Sequence, residues 1–209
     1  MLLSLPPLYP ITDLKLARAG SHAELVRCLI AGGARWIQLR EKDLPPEELS
    51  RQVRQSCEVA DSAGVILVLN DWVDIAQTTS VAGVHLGQAD LPAEEARQKL
   101  AVKIIGLSTH SLEQAQAAMR LPVDYIAIGP VFATPTNTDH PPLGIEVLHQ
   151  VRSAVNKPLV AIGGITLSNV AEVWSAGVDS AAVISDIMGH RDIARQTENY
   201  LRLWNKLHA

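Results

Sequence analysis

The chain has 209 residues, of which 47% are hydrophobic and 19% are charged. This length and composition predict one globular domain over residues 1–209 with a substantial core. The formal net charge of −4 gives no reason to expect nucleic acid or an anionic membrane surface as a partner. No apolar run approaches the roughly 20 residues of a membrane helix. The beginning of the chain also lacks the basic and then apolar pattern of a secretion signal.

Cys28 and Cys57 each fall inside a helical pattern, without a CxxC spacing and without a histidine at ligand spacing. Such cysteines are typical of buried thiols in a reducing compartment, and they are not typical of a disulfide or a zinc site. The sequence therefore predicts a cytoplasmic protein.

Eight short apolar runs alternate with segments of helical periodicity along the chain. Several runs are continuously apolar, which is typical of parallel strands buried on both faces. The predicted strands are 8–12, 35–39, 65–69, 83–86, 104–107, 125–128, 159–162 and 180–184. The predicted helices are 21–31, 47–62, 72–79, 93–100, 112–119, 144–155, 168–175 and 193–207. This order predicts an α/β fold, a single (β/α)8 TIM barrel, with a doubly wound open sheet as the alternative.

Most of the predicted strands end in small clusters of glycine and polar residues, which a barrel would gather at one rim. Gln38, Arg40 and Lys42 alternate after the second strand, so their side chains tend toward the same face. Arginine grips a pair of phosphate oxygens and lysine acts as a point charge, so the pattern suits an anionic ligand. The alternative is an ion-paired strand end that uses Glu41 and Asp43.

Two aspartates follow neighbouring strands. Asp71 comes after Asn70 at the end of the third strand, and Asp90 comes after the fourth. Two carboxylates on adjacent strand exits can hold a hard divalent cation, with water and phosphate oxygens completing its shell. The alternative is that each aspartate caps or starts a helix. His85 is interpreted as a structural histidine at a strand end and not as a metal ligand.

The last two strands end in Gly163-Gly164 and in Ile184-Ser185. In barrels, backbone N–H groups at these positions commonly receive a phosphate, and glycine permits a close approach. The alternative is that the glycine pair only forms a tight turn.

The connection 129–143 is long for a barrel loop and contains Thr134, Thr136 and Thr138. Their hydroxyls are either ordinary loop groups or ligand contacts from a mobile lid. Ser108 and His110 follow the fifth strand, but no acidic partner or nucleophile-elbow pattern supports a hydrolase.

Taken together, these elements resemble the thiamine-phosphate synthase (thiamine-phosphate pyrophosphorylase) family across almost the whole chain. The family belongs to the superfamily that also contains the thiazole tautomerases. The motifs that carry the resemblance are QLREKD at 38–43, ND at 70–71, GVHLGQAD at 83–90, GLSTH at 106–110, GPVFATPT at 129–136, AIGGI at 161–165 and VIS at 183–185.

The resemblance implies a role for each matching position. The pyrimidine diphosphate would meet Gln38, Arg40, Lys42, Asn70 and Ser108. The Mg²⁺ cofactor would be held by Asp71 and Asp90. The thiazole phosphate would meet Thr134, Thr136, Gly164, Ile184 and Ser185.

The implied reaction joins hydroxymethylpyrimidine diphosphate to hydroxyethylthiazole phosphate and releases pyrophosphate. Thiazole tautomerases typically lose the diphosphate-binding residues of the synthases, whereas Arg40, Lys42 and Asp71 are present here. The other two hypotheses are a tautomerase and a non-catalytic, phosphate-binding regulatory barrel. One departure from the family pattern concerns a substrate-binding position, because Asn137 stands where the family usually has a lysine directed at the pyrophosphate. The sequence is compatible with a homo-oligomer.

Overall fold

The computed structural model describes residues 3–134 and 140–209, and eight parallel strands form its centre. The strands are β1 Leu8–Pro10, β2 Trp36–Leu39, β3 Ile66–Asn70, β4 Gly83–Leu86, β5 Ile104–Thr109, β6 Tyr125–Ile128, β7 Leu159–Ile162 and β8 Ser180–Val183. Each strand pairs with its sequence neighbour, and β8 pairs with β1. A parallel bridge between Ile11 and Gln38 joins β1 to β2 and closes the sheet. The predicted TIM barrel is confirmed, and the open-sheet alternative is wrong.

Helices connect the strands on the outside of the barrel, with ten among the described residues. They are α1 Leu14–Ala17, α2 His22–Ala31, α3 Pro46–Ser62, α4 Val73–Gln77, α5 Ala93–Leu100, α6 Leu112–Ala118, α7 Gly144–Ala154, α8 Val170–Ser175, α9 Ser185–Met188 and α10 Ile193–Leu207. The eight predicted helices are all present. The two additional ones, α1 and α9, have four residues each, which is too short for a helical period to show in the sequence.

Two boundaries differ from the prediction in ways that affect the rim. Strand β5 continues to Thr109, so Ser108 lies within the strand and not after it. Strand β8 ends at Val183, and Ile184 is the N-cap of α9. As a result, Ser108 belongs to a strand and Ser185 to a helix. Residues in regular structure are held more precisely than residues in a loop.

The interior of the barrel contains a cluster of aromatic side chains. Tyr9, Trp36 and Tyr125 are almost completely buried and meet edge to face, with ring centroids 5.9 to 6.1 Å apart. Gly106 makes room for this cluster, because a Cβ at that position would lie 2.0 Å from the Tyr125 ring. A second, larger apolar layer lies between the strands and the helices. The aromatic cluster is thus the floor on which the carboxyl-end rim is built.

Cys28 and Cys57 are free thiols, as predicted, but only Cys57 is buried, and Cys28 is partly exposed. Across residues 3–134 and 140–209, no helix is both long and apolar enough to cross a bilayer.

Candidate active site

A pocket of about 420 Å³ opens at the carboxyl ends of the strands. Eleven of the predicted site residues line it, namely Gln38, Arg40, Lys42, Asn70, Asp71, Asp90, Ser108, Thr134, Gly164, Ile184 and Ser185. The remaining two, Thr136 and Asn137, lie outside the described residues. The barrel therefore brings together residues from six of its eight strand ends and from the loop after β6.

Two cations stand on one wall of the pocket. The Arg40 guanidinium lies 3.6 Å from the Asp13 carboxylate, and both side chains are mostly buried. Within the part of the chain that the structure describes, the Lys42 ammonium has no carboxylate within 4.0 Å. The Lys42 side chain is exposed at the pocket rim, and an ammonium there without a counter-ion is suited to an anionic ligand.

The ion-paired alternative for this strand end is wrong, because its two acids have other partners. Glu41 lies 3.1 Å from the ring of the buried His22 and also accepts the backbone N–H groups of Lys42 and Asp43. Burial alone would raise the pKa of Glu41, but these hydrogen bonds lower it. Asp43 pairs with Lys15 at 2.9 Å on the surface. Glu41 thus shapes the loop and leaves the Lys42 charge available.

The two predicted metal ligands face each other across the rim. Burial, followed by the nearby Asp90 carboxylate, raises the pKa of Asp71 to about 7, although Lys42 and Arg40 oppose the shift. Asp90 accepts the Gly87 N–H at 2.6 Å, which fixes its carboxylate at the end of β4. A carboxyl group whose pKa is raised by a neighbouring carboxylate marks a site where a cation would relieve the repulsion.

The backbone at Asp71 is in the left-handed region, with φ of +67°. Aspartate tolerates this conformation better than most residues, and such strain is concentrated at functional sites. The Asp71 N–H donates to the His85 carbonyl at 2.9 Å, which anchors the turn. The helix-cap alternatives are wrong for both aspartates, because α4 begins after Trp72 and α5 after Pro92.

The donor set fits a hard cation that keeps part of its shell for other ligands. Among residues 3–134 and 140–209, no group of three or more His, Cys, Asp or Glu side chains could enclose a metal. Mg²⁺ is usually bound by one or two carboxylates together with water and substrate phosphates. Asp71 and Asp90 provide that number, and the raised pKa of Asp71 beside the Asp90 carboxylate is the observation that favours a cation between them.

The opposite wall is formed by the ends of β7 and β8. Gly163 and Gly164 have φ of +100° and +64°, which strongly favours glycine. A Cβ on Gly164 would also lie 2.5 Å from the Ala133 carbonyl oxygen and 2.7 Å from Phe132 Cβ. The glycine pair therefore forms a turn and allows the loop after β6 to pack against it. Ser185 begins α9, so the amino end of a short helix faces the same space.

Sequence reasoning assigned His85 only a structural role and did not single out two tyrosines beneath it. His85 lines the pocket, and its Nε2 lies 2.8 Å from Ser108 Oγ. Its Nδ1 lies 2.9 Å from the Tyr125 hydroxyl, which lies 2.9 Å from the Tyr9 hydroxyl. Burial lowers the pKa of His85 to about 4. The sequence does carry a signal for these three residues, because each is a polar aromatic residue in an otherwise apolar strand.

The fold and the rim define a class of protein, a (β/α)8 barrel with a pocket at the carboxyl ends of its strands that is lined by two cations and two carboxylates. A family model described as thiamine monophosphate synthase matches residues 8–187. The chain belongs to this family.

Individual relatives agree with the family assignment. The chain is 39% identical over 187 residues to a thiamine-phosphate synthase of Chloroflexus aurantiacus, covering 89% of this chain and 87% of the relative. It is 44% identical over 189 residues to one of Methanoregula boonei, with the same coverage. The solved structure of a thiamine phosphate pyrophosphorylase from Pyrococcus furiosus superimposes with a TM-score of 0.90 at 35% identity, covering 97% of both chains.

Proposed function

We propose that this barrel is a transferase that joins hydroxymethylpyrimidine diphosphate to hydroxyethylthiazole phosphate, giving thiamine phosphate and pyrophosphate. One observation carries the proposal. A single pocket has cations and a carboxylate pair on one wall and a glycine turn with a helix amino end on the other. Two anionic substrates and a divalent cation fit such a pocket better than one substrate does.

The cationic wall would bind the diphosphate end of the pyrimidine substrate. Arg40 and Lys42 offer guanidinium and ammonium donors to its oxygens. Gln38, Asn70 and Ser108 present neutral hydrogen-bonding groups to the rest of this substrate.

The thiazole phosphate would bind at the other wall. Gly164, Ile184 and Ser185 bring backbone N–H groups toward it, and Thr134 brings a hydroxyl. On the sequence resemblance alone, Thr136 would join this wall, and Asn137 would face the diphosphate. This arrangement places the two substrates side by side, which contributes to catalysis through proximity.

Asp71 and Asp90 would hold Mg²⁺ next to the diphosphate. When bound, the ion supplies positive charge to the leaving group and helps to orient it. The chain's own contribution is to keep two carboxylates together at the rim, Asp71 by its left-handed backbone and Asp90 by its bond from Gly87.

The chemistry then needs no protein nucleophile. The C–O bond between the pyrimidine methylene and the diphosphate breaks first, and the electron pair leaves with pyrophosphate. The thiazole nitrogen donates its lone pair to the resulting carbocation and forms the new C–N bond. Arg40 and Lys42 stabilise the negative charge that develops on the departing oxygens. Ser108 lies 2.8 Å from His85 Nε2, but His85 Nδ1 contacts the Tyr125 hydroxyl and not a carboxylate, so the Ser-His-acid arrangement of a hydrolase is not formed.

A pyrophosphate-release assay tests the function. With both substrates and Mg²⁺ present, we expect equal amounts of pyrophosphate and thiamine phosphate, and no product in EDTA. Activity unaffected by EDTA would contradict the proposed magnesium dependence. Conversion of an isomeric thiazole carboxylate phosphate, without any use of the pyrimidine substrate, would identify a tautomerase. Binding of both ligands without turnover would indicate a regulatory barrel.

Asn137 gives a second test of the same mechanism. If this position faces the diphosphate as in the family, Asn137→Lys adds a charge where the chain has only a neutral amide. Charge-assisted hydrogen bonds are about twice as strong as neutral ones, so we expect a gain of roughly 5- to 30-fold in single-turnover rate. An unchanged rate would show that another residue supplies the charge.

The proposal also covers the cellular compartment and the oligomeric state of the protein. Two free cysteines, one of them buried, are consistent with a reducing cytoplasm. The homo-oligomer stays a prediction that a sedimentation experiment can test.

A further inference from the structure

A chain of five polar side chains crosses the barrel beneath the pocket. Gln38 Nε2 donates to the Tyr9 hydroxyl at 3.1 Å, and the Tyr9 and Tyr125 hydroxyls lie 2.9 Å apart. The Tyr125 hydroxyl lies 2.9 Å from His85 Nδ1, and His85 Nε2 lies 2.8 Å from Ser108 Oγ. Both ends of the chain line the pocket, whereas the two tyrosines lie below it. We call these five residues the relay. It connects the β2 side of the site to the β5 side through the core.

The charge state of the relay is fixed by its burial. Tyr9 and Tyr125 are buried and their pKa values are raised, so both keep their protons. His85 is also buried, and hydroxyl groups, not carboxylates, lie at both of its ring nitrogens, which suits a neutral imidazole. A neutral imidazole has one donor nitrogen and one acceptor nitrogen. Each member of the relay therefore has few hydrogen-bond donors. The direction of one hydrogen bond in the relay constrains the direction of the next.

The direction of the hydrogen bonds follows from the Gln38 end. Because Gln38 donates to Tyr9, the Tyr9 proton must go elsewhere, and the Trp36 indole beside it can only donate. The remaining acceptor among the described neighbours is the Tyr125 oxygen. Tyr125 must then donate to His85 Nδ1.

The same logic fixes the other end of the relay. With Nδ1 as the acceptor, His85 carries its proton on Nε2 and donates to Ser108 Oγ. The Ser108 hydroxyl proton is left to point into the pocket, and so is the carbonyl oxygen of the Gln38 amide. The β2 side of the pocket consequently offers a hydrogen-bond acceptor, the Gln38 carbonyl, and the β5 side offers a donor, the Ser108 hydroxyl.

We propose that Tyr9, Tyr125 and His85 are positioning residues that fix which hydrogen bonds Gln38 and Ser108 offer to the pyrimidine ring. This inference rests on the proposed function. An aminopyrimidine carries donor N–H groups on its amine and acceptor lone pairs on its ring nitrogens. The Gln38 carbonyl and the Ser108 hydroxyl form the complementary pair, so the relay selects one orientation of the ring. If every bond were reversed, Gln38 would offer N–H groups and Ser108 an oxygen acceptor.

The tautomer of His85 tests the relay without any use of catalysis. In ¹⁵N-labelled protein without substrates, long-range ¹H–¹⁵N correlation spectra should show His85 as the Nε2–H tautomer. Tyr125→Phe removes the donor to Nδ1, and we expect a shift toward the Nδ1–H form. An Nδ1–H tautomer in the wild-type protein would overturn the proposal. If Tyr125→Phe does not fold, Tyr9→Phe cuts the relay one bond earlier and serves the same purpose.

A double-mutant cycle tests whether the relay acts on the substrate. Ser108→Ala should lower kcat/KM for the pyrimidine diphosphate by about 3- to 10-fold, the range expected for one neutral hydrogen bond. In the Tyr125→Phe background, the same change should cost less than about 2-fold, because Ser108 has already lost its fixed orientation. The KM for the thiazole phosphate should stay within about 2-fold in all variants. Additive losses, or equal losses for both substrates, would overturn the positioning role.

Thr109→Val is the matched control. Thr109 is buried one residue from Ser108, and its hydroxyl donates to the Ala127 carbonyl outside the relay. This variant should leave the Ser108→Ala effect and the His85 tautomer unchanged, and coupling to Thr109 would contradict the proposal. If the wild-type chain releases no pyrophosphate, the proposed function fails, whereas the tautomer measurement still decides whether the relay has the inferred direction.

Discussion

The two ends of this barrel use the same charged residue types in opposite ways. At the amino ends of the strands, Arg97 donates to the Pro122 and Lys103 carbonyls and pairs with Asp124 at 2.6 Å. Lys157 donates to the carbonyls of Leu121 and Val123 at 2.6 and 2.9 Å. Every donor group named here has a partner, so these cations close the bottom of the barrel.

The carboxyl-end rim leaves its charges poorly compensated. Arg40 has a single acidic contact at 3.6 Å, and Lys42 has none within 4.0 Å in the part of the chain described. Asp71 shares the rim with a second carboxylate that raises its pKa. Groups that are left unpaired at a cost in stability are candidates for function. The comparison predicts that changes at the rim reduce activity, whereas changes at the bottom reduce stability.

The largest expected effect is at the rim carboxylates. Asp71→Asn or Asp90→Asn should lower turnover at limiting Mg²⁺ by at least about 10- to 100-fold, a range seen even for indirect partners of a metal. Thermal stability without the metal should be unchanged or higher, because one partly buried carboxylate is removed from a pair of like charges. Asp61→Asn is the control, since Asp61 is exposed at the end of α3. Normal turnover in both rim variants would disprove the metal assignment.

At the bottom of the barrel we expect a smaller effect, which is on stability and not on activity. Lys157→Met keeps the apolar stem but leaves two partly buried carbonyls without a donor, at a cost of about 1–3 kcal/mol. Tm should fall by about 2–4 °C for each kcal/mol, while kcat stays unchanged. Lys206→Met, in the exposed last turn of α10, should shift Tm by less than about 1 °C. Loss of kcat in folded Lys157→Met would contradict the division between the two ends.

The rim could be predicted from the sequence because its chemistry is local. Gln38, Arg40 and Lys42 alternate after one strand, and the barrel topology then determines which other strand ends they meet. Asp71 and Asp90 were found in the same way. What the sequence could not give was their electrostatic state, since the Asp71 pKa depends on burial and on a carboxylate 19 positions away.

The relay could not be predicted, because its members are far apart in sequence and its bonds depend on side-chain geometry. Tyr9 and Tyr125 are separated by 116 positions, and Tyr125 and His85 by 40. Strand periodicity places an inward residue but does not say which hydroxyl it meets. The short helix α9 was missed for a different reason, since four residues carry no measurable period. Local patterns therefore located the site, and long-range packing determined how it is connected.

We also expect a pH dependence of stability that originates at the rim. The pKa of Asp71 is about 7 in the folded protein and 3.8 ordinarily, so the native state binds more protons than the unfolded state between these values. Its contribution to stability is complete below about pH 4 and is lost as the pH rises through about 7. The slope cannot exceed about 1.4 kcal/mol per pH unit, the limit for one proton, and the partial exposure of Asp71 reduces the total change. Urea unfolding of wild type and Asp71→Asn in EDTA isolates this contribution as the difference between the two curves.

Added Mg²⁺ should flatten that difference, because a cation between Asp71 and Asp90 replaces the proton as the compensating charge. Changes at the bottom of the barrel should not alter it, so Lys157→Met should shift the unfolding free energy by the same amount at pH 5 and pH 8. A difference that keeps its slope in saturating Mg²⁺ would mean that the two carboxylates hold a proton without holding the metal. The rim would then differ from the bottom only in the cations that Arg40 and Lys42 provide.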